Sequence, residues 1–223
     1  MSKIFLAAVL TLSLFSCKKA STTSAPAVEF QLQTTNRSSA VNRTDAAGTI
    51  TWTSGFASAT QIKLEAKNTT QQQLEFKSNV AQKVNLFTSV ASALGNVTIP
   101  AGIYSEVEFR IELAPSGADA ALELNGTFTN GNTGVTTSVV FRISSAYEIK
   151  GEKNNVVVDN TTTTTSLTTL DLSLLTTGIS QLMLSSATVT GGTIVISSTS
   201  NTVLFNLISA NLQLHHEAEI GHH

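Results

Sequence analysis

The chain is poor in several residue types on which common functional sites depend. It has 223 residues but only one cysteine, three prolines, one tryptophan and 13% charged residues. A single cysteine excludes a disulfide framework within the chain and any paired-cysteine zinc or redox site. The formal net charge of −2 offers no basic surface for nucleic acid. We therefore expect no nucleic-acid partner.

Histidine is missing from most of the chain. All four histidines lie in the last nine residues: His215, His216, His222 and His223. A Ser-His-Asp or Cys-His nucleophile needs a histidine beside the nucleophile, and none precedes residue 215. Neither a glycine-rich phosphate loop nor an EF-hand calcium loop is present. These absences predict a protein that is not an enzyme.

Hydroxyl residues are abundant instead. The chain contains 26 serines and 33 threonines, and its hydrophobic fraction of 41% is too high for a disordered protein. Threonine favours extended structure and suits the exposed faces of sheets. The composition therefore predicts a β protein with a buried core and argues against a helical bundle.

Alternating apolar and polar residues mark the strands. The clearest run is Val107–Leu113, which predicts that Val107, Phe109, Ile111 and Leu113 are buried and that Glu108, Arg110 and Glu112 face water. Further strands are expected at 62–66, 74–76, 84–86, 122–128, 138–143, 156–159, 167–174 and 193–197. Turns are expected at Asn125-Gly126, around 131–134 and at Gly191-Gly192, because these residues tolerate positive φ.

Helical spacing is confined to the end of the chain. Ser200 is a candidate N-cap, and residues 201–212 place Val203, Leu204, Leu207, Ile208 and Asn211 at helical intervals. A second helical turn is expected at 174–178. We predict an all-β, antiparallel β-sandwich with one short C-terminal helix, formed by a single domain over residues 28–214. The run Thr161–Thr165 is the alternative, a linker between two domains.

The residue pattern of the amino terminus predicts a secretion signal. A basic start at Lys3 is followed by an apolar stretch over residues 4–15, which is too short to span a bilayer. It ends in Leu14-Phe15-Ser16-Cys17, which resembles the lipobox of bacterial lipoproteins. The resemblance implies a signal peptide over 1–16, cleavage before Cys17 and lipid on its thiol. The alternative is an ordinary cleaved signal that removes Cys17 or leaves it free.

The lipoprotein resemblance also implies a location. Residues 17–27 are small and polar and contain Pro26, which predicts a flexible tether behind the lipidated cysteine. Lys18 stands where some Gram-negative lipoproteins have an aspartate that retains them in the inner membrane, so the outer membrane is expected. Residues 18–21 lack the acidic residues that direct some lipoproteins to the cell surface, which favours the periplasmic face.

A second resemblance starts at Pro100-Ala101-Gly102-Ile103-Tyr104, directly before the strand at 107–113. This Pro-Ala-Gly-x-Tyr turn resembles one found in an uncharacterised family of bacterial lipoproteins with transthyretin-like or immunoglobulin-like sandwiches. The resemblance covers about residues 59–175 and includes the apolar segment at 84–87. It implies a fold and a cell-envelope location, and it supplies no catalytic residues.

Three side-chain groups are candidates for chemistry. Glu106, Glu108 and Glu112 share a strand face, but Arg110 between the last two indicates a charge ladder that keeps the sheet soluble rather than an acid/base pair. Trp52 with Phe56, near Gly55, can form either an aromatic sugar platform or part of the core, and we expect the core.

The third group is the histidine-rich tail over 215–223. Imidazole and carboxylate groups bind zinc, nickel or copper, and Gly221 would let His222 and His223 fold back on His215 and His216. If the tail is a strand, however, adjacent histidines point to opposite faces. We expect the tail to be a solvated end of the chain with only incidental affinity for metal ions.

The sequence thus predicts a membrane-anchored cell-envelope lipoprotein with a non-catalytic binding or structural role. Its contacts would be the membrane, through lipid on Cys17, and a protein or glycan partner reached by loops or a sheet edge. The first alternative is a periplasmic metal-binding protein that uses the four histidines. The second is an envelope hydrolase that uses carboxylates such as Glu108 and Glu112.

Overall fold

In a computed structural model of the chain, the described residues form thirteen strands and two helices. The structure describes residues 26–41, 48–160, 163–214 and, for the backbone, 216–222. The strands are β1 Ala27–Thr35, β2 Ser38–Val41, β3 Gly48–Asn68, β4 Gln73–Asn85, β5 Ser92–Thr98, β6 Gly102–Leu113, β7 Leu122–Thr129, β8 Thr136–Ile143, β9 Tyr147–Val158, β10 Thr164–Asp171, β11 Val189–Thr190, β12 Thr193–Ile196 and β13 His216–His222. The helices are α1 Gln181–Ser185 and α2 Thr202–Leu214, and a 3-10 turn spans Leu174–Thr176.

The strands form two sheets. One has four strands in the order β13-β10-β1-β5, and the other has nine strands, seven of them in the order β11-β12-β8-β7-β3-β6-β9, with β2 and β4 also paired to β3. Most pairs are antiparallel, but β1 runs parallel to β10 and β12 runs parallel to β8. The predicted all-β sandwich with a C-terminal helix is confirmed. Each sheet also contains one parallel pair of strands, which the turn residues in the sequence did not predict.

Strand β3 organises the larger sheet because it has 21 residues. Its first half pairs with β2 and β7, and its second half pairs with β4 and β6. The second half therefore lies in a four-stranded layer, β4-β3-β6-β9, that faces the four-stranded sheet. A Cβ built on Gly95 of β5 would lie 3.6 Å from Ile62 Cδ1 of β3, so the two layers touch.

Two irregularities in β3 change which side chains face the core. The buried positions are even-numbered up to Trp52, odd-numbered from Gly55 to Ala59 with Ser58 buried as well, and even-numbered again from Ile62. The pairing register shifts between Trp52 and Ser54 and again between Ala59 and Gln61. Each shift inserts one extra residue and so exchanges the faces of the strand. These bulges allow one long strand to serve two differently covered parts of the sheet.

The C-terminal segments cover the part of the larger sheet that contains the first half of β3. Helix α2 buries Leu204, Ile208 and Leu212, and the Phe205 ring lies 5.8 Å from that of Phe141 on β8. The buried Asn211 donates from Nδ2 to the carbonyl oxygens of Leu175 (2.9 Å) and Thr177 (2.8 Å). These hydrogen bonds from helix α2 stabilise the 3-10 turn at Leu174–Thr176. The presence of this turn confirms the short helical turn expected at 174–178.

The strand pattern of the sequence is largely confirmed. Val107, Phe109, Ile111 and Leu113 of β6 are each 1% exposed. The predicted hairpin near 131–134 joins β7 to β8, with the Asn130 N–H donating to the Val135 carbonyl at 2.9 Å. Gly191 and Gly192 both have positive φ in the β11–β12 hairpin.

Two local predictions were wrong. Asn125-Gly126 is not a turn but lies inside β7, where Gly126 pairs with Trp52. Ser200 does not cap α2, because the helix begins at Thr202 and the Asn201 carbonyl accepts its first hydrogen bond, from Phe205 N at 3.0 Å. Asn201 also bonds to the backbone at Thr188, and Ser200 instead forms a β-bridge with Ser197.

Candidate functional site

The predicted lipid-attachment residue, Cys17, lies outside the described residues, and so do residues 1–16 and most of the predicted tether. The described chain enters the sandwich at Pro26, whose carbonyl accepts a hydrogen bond from Ile99 N at 3.0 Å. The next residue, Ala27, pairs with Thr98 at the start of β1. The amino-terminal entry point therefore lies at one end of the sandwich, beside the segment that leads into β6.

The carboxylates of β6 lie on the exposed face of the sheet, and each is paired. Glu106 accepts from Lys67 Nζ at 2.6 Å, Glu108 accepts from Arg110 Nε at 2.8 Å, and Glu112 lies 2.5 Å from Lys63 Nζ. The charge ladder expected from the sequence is present. Arg110 is its centre, because its guanidinium also lies 3.1 Å from Glu65 and 3.9 Å from Glu148.

These pairs shift the ionisation of the basic groups in one direction. The hydrogen bond with Glu112 raises the pKa of Lys63, and the hydrogen bond with Glu106 raises the pKa of Lys67. Arg110 likewise has a raised pKa because Glu108 accepts from its guanidinium. All three cations therefore hold their protons more tightly than free side chains do. The arrangement stabilises fixed charges on this face of the sheet.

A groove rich in serine and threonine side chains lies between β2 and the segment that follows β10. It has a volume of about 730 Å³, and its lining is Ser38, Ser39, Ala40, Ser173, Leu174, Thr176, Thr177, Gly178, Ile179 and Ser180. We call it the hydroxyl groove. Ser39 Oγ and Thr176 Oγ1, which both line it, are hydrogen-bonded to each other at 2.5 Å. Such a surface can donate and accept hydrogen bonds without net charge, which suits glycan or peptide groups.

Asp171 supports one wall of the hydroxyl groove. Its carboxylate accepts from Ser173 N at 2.9 Å, from Ser173 Oγ at 2.7 Å and from Asn36 Nδ2 at 2.8 Å. Burial alone would raise the pKa of Asp171, but the hydrogen bonds from Ser173 and Asn36 outweigh it and lower the pKa. Asp171 therefore stays ionised and holds the segment after β10 in place.

A smaller depression of about 340 Å³ lies between β6 and the start of β9, lined in part by Glu112, Tyr147 and Glu148. Burial raises the pKa of Tyr147 to about 12. Its hydroxyl group is buried and has no hydrogen-bond partner among the described residues. At that pKa the phenol is neutral under physiological conditions and cannot act as a base.

Trp52 belongs to the core, as expected. It is 1% exposed, and the bulge after it places Phe56 on the opposite side of β3. Phe56 is half-buried beneath Lys83, whose Nζ lies 3.9 Å from the ring centroid. The two rings therefore do not form a common platform for a sugar.

The histidine-rich tail is not a free end over the residues that the structure describes. His216–His222 form β13, which pairs antiparallel with β10, so that His216 lies opposite Leu170 and His222 opposite Thr164. Because an extended strand rises about 3.4 Å per residue, the backbones of His216 and His222 lie about 20 Å apart. Gly221 is paired with Thr165 and does not make the fold-back that the metal-binding alternative requires, and the solvated end that we expected is a paired strand over these residues. His215 and His223 lie outside the described residues.

Two features are absent from the described residues. No group of three or more histidine, cysteine, aspartate or glutamate side chains is placed to hold a metal ion in that part of the chain. Within the same residues, no helix has the length and apolar character required to cross a membrane.

The hydroxyl groove was not anticipated from the sequence. Its lining comes from a short edge strand and from a turn expected only to close the core. Serine and threonine are so frequent in this chain that no local signal distinguishes these hydroxyls from solvated ones. The parallel pairing of β1 with β10 ends at Thr35 opposite Asp171, and this long-range contact brings the two segments together.

Comparison with known proteins gives no relative for this chain: no protein-family model, no curated protein and no solved structure matches it.

Proposed function

We propose that this protein is a lipoprotein of the bacterial cell envelope, held at the membrane by acyl chains on Cys17 and acting through non-catalytic contacts. The observation that carries the proposal is the order of features at the amino terminus: a basic start, an apolar stretch over 4–15 and Leu14-Phe15-Ser16-Cys17. Each buried methylene of an acyl chain contributes about 0.8 kcal/mol, so two or more chains are needed for stable attachment.

The number of residues between Cys17 and Pro26 limits how far the sandwich can stand from the membrane. Cys17 precedes Pro26 by nine residues, and a fully extended chain of that length spans at most about 30 Å. The domain would thus stay close to the bilayer and present the end that contains Pro26 and Ile99 toward it. Cross-strand neighbours Ile103 and Val157, 59% and 47% exposed, lie near the same end and add apolar surface there.

The location follows from the residues around the cysteine. Lys18 in place of an aspartate favours the outer membrane of a Gram-negative bacterium over retention in the inner membrane. The absence of acidic residues at 18–21 favours the periplasmic face. Protease treatment of intact cells tests the orientation: survival of the protein until lysis is expected, and its loss from intact cells would place it on the surface.

The binding role is assigned to the hydroxyl groove. It has a volume of about 730 Å³, it lacks charged lining residues, and the network around Asp171 holds one of its walls. A protein or glycan partner fits this chemistry, because neutral hydroxyls recognise amides and sugar hydroxyls by hydrogen bonding. We expect a non-catalytic contact, since the carboxylates of β6 are paired with cations.

Detergent phase partition of a Cys17→Ser variant tests the anchor. The wild-type protein is expected in the membrane fraction and the detergent phase, whereas Cys17→Ser should lose both because it has no thiol to acylate. Ser21→Ala is the matched control, since it changes a small residue four positions later. If Cys17→Ser partitions like the wild-type protein, the lipid anchor is refuted.

A further inference from the structure

Charged residues on one exposed sheet face are sorted into rows of like charge. The rows run across the four neighbouring strands β4, β3, β6 and β9. In one row the directly paired residues are all basic: Lys77, Lys63, Arg110 and Lys150. In the next row, two residues along each strand, they are all acidic: Glu75, Glu65, Glu108 and Glu152. We call these the basic row and the acidic row.

This arrangement is costly for a single sheet. Like charges directly opposite each other on neighbouring strands are destabilising, and opposite charges there would be favourable. Within the chain the rows are stabilised by contacts along or diagonally across strands, such as Arg110 with Glu108 at 2.8 Å and with Glu65 at 3.1 Å. A sheet that needed only solubility could place opposite charges in each row. The sorting therefore points to a partner.

We propose that this face binds a second copy of the same chain, with the basic row of each copy against the acidic row of the other. The required symmetry is a two-fold axis that lies between the two rows and runs parallel to them. Such an axis reverses the strand direction and keeps each strand over its own counterpart. Lys77 then lies opposite Glu75 of the second copy, and Lys150 lies opposite Glu152, in both directions. A two-fold interface requires this self-complementarity.

The outer strands supply the side chains best placed for these contacts. Glu75, Lys77 and Lys150 are 53%, 62% and 61% exposed, whereas Lys63 and Arg110 at the centre are 23% and 24% exposed. The central charges are held by partners in their own chain. The outer charges also have neighbours of opposite sign in their own chain, Lys77 with Glu75 at 3.6 Å and Lys150 with Glu108 at 4.0 Å, but their side chains are more exposed, so they are the positions at which association is tested.

The neighbouring rows do not oppose this pairing. The row beyond the basic one contains Glu112 and Glu148, the latter 3.9 Å from Arg110, and the row beyond the acidic one contains Glu106. The two-fold axis brings Glu112 and Glu106 near each other. Each is already neutralised within its own chain, Glu112 by Lys63 at 2.5 Å and Glu106 by Lys67 at 2.6 Å.

The size of the face predicts weak association. Four strands about 4.8 Å apart and four rows about 6.8 Å apart give a footprint of roughly 500 Å² per copy. The total of about 1,000 Å² is at the lower limit for a specific interface. Because the contacts are exposed ion pairs, the dimer should dissociate as salt is added.

The experiment measures the mass of the full chain in a non-ionic detergent by sedimentation. In about 20 mM salt, where charges interact over long distances, we expect a concentration-dependent dimer, and in about 500 mM salt a monomer. Two charge-reversed variants then test the rows. Lys77→Glu with Lys150→Glu makes the outer positions of both rows acidic, and Glu75→Lys with Glu152→Lys makes them basic. Each variant alone should be monomeric, and their equimolar mixture should dimerise at least as well as the wild-type protein.

The control pair carries the same changes in net charge on other surfaces. It combines Lys83→Glu and Arg142→Glu in one chain, and Asp119→Lys and Glu123→Lys in the other. General attraction between oppositely charged proteins would make this mixture associate as well. A control mixture that dimerises as strongly as the row variants would overturn the proposal, as would a wild-type protein that stays monomeric in low salt. If a reversed variant fails to fold, Lys77→Gln with Lys150→Gln takes its place and should weaken the wild-type dimer about tenfold or more.

Discussion

Replacement of Gly126 by alanine tests the close approach of β7 to β3. A Cβ at this position would lie 2.3 Å from the Thr51 carbonyl oxygen and 3.0 Å from Trp52 Cα. Both are backbone atoms of a strand paired on both sides, so no side-chain rotation can relieve the overlap. Overpacking of a well-packed interior costs about 1–3 kcal/mol, and a backbone obstacle places Gly126→Ala at the upper end, about 3 kcal/mol.

Urea unfolding followed by tryptophan fluorescence measures this cost. For a domain of this size the slope of the unfolding free energy is about 2–3 kcal/mol per molar urea, so the midpoint should fall by about 1–1.5 M. Gly102→Ala is the control, since a Cβ there meets no atom closer than 3.9 Å, and it should change stability by less than about 0.5 kcal/mol. A Gly126→Ala protein as stable as the control would refute the strand pairing, and would favour the turn that Asn125-Gly126 predicts by itself.

Three further predictions concern the core and the hydroxyl groove. Trp52, as the only tryptophan, should emit at shorter wavelength than free tryptophan and resist quenching by acrylamide until the protein unfolds; an accessible indole would contradict its burial. Asn211→Leu should cost about 2 kcal/mol or more, because two carbonyl oxygens lose their donor, whereas Gln213→Leu on the exposed side of α2 should be nearly neutral in the same unfolding assay. The lowered pKa of Asp171 means that its ionised form stabilises the fold above the ordinary value of 3.8, and that this contribution is lost as the pH falls through the folded-state pKa. Asp171→Asn should therefore be less stable than the wild-type protein at neutral pH, with a difference that narrows below about pH 4; a constant difference would exclude the carboxylate as the cause.

The local pattern of the sequence predicted the strands that are buried on one face. Alternation over Val107–Leu113 was sufficient because β6 has no bulge in that stretch, and every second side chain enters the core. In β3, alternation of apolar and polar residues predicts the buried positions only in the segment after Gln61. Two bulges change the buried parity earlier in the strand, and such bulges depend on pairing with β6 and β7, which no short window contains.

Predictions failed where a distant strand determined the local conformation. Asn125-Gly126 has the composition of a tight turn, but the glycine is required because Thr51 and Trp52 approach it closely. Ser200 and Asn201 are both good N-cap residues, and the contacts of Asn201 with Thr188 and Val195 decide between them. The end of the chain was expected to be solvated, since its pairing with β10 has no signal within 215–223 itself.

The candidate surfaces were predictable to different degrees. The charge ladder around Arg110 follows from alternation along one strand, so the sequence indicated it. Its sorting into rows depends on the registers of β4, β3, β6 and β9, and only the structure supplies these. The hydroxyl groove depends in the same way on the parallel pairing of β1 with β10.

The measurement that tests the lipoprotein proposal most directly is the mass of the amino-terminal peptide of the protein isolated from its native membrane. We predict a mature chain that begins at Cys17 and carries added mass equal to its acyl chains. A mature chain that begins at any other residue, or one that begins at Cys17 without added mass, would contradict the account.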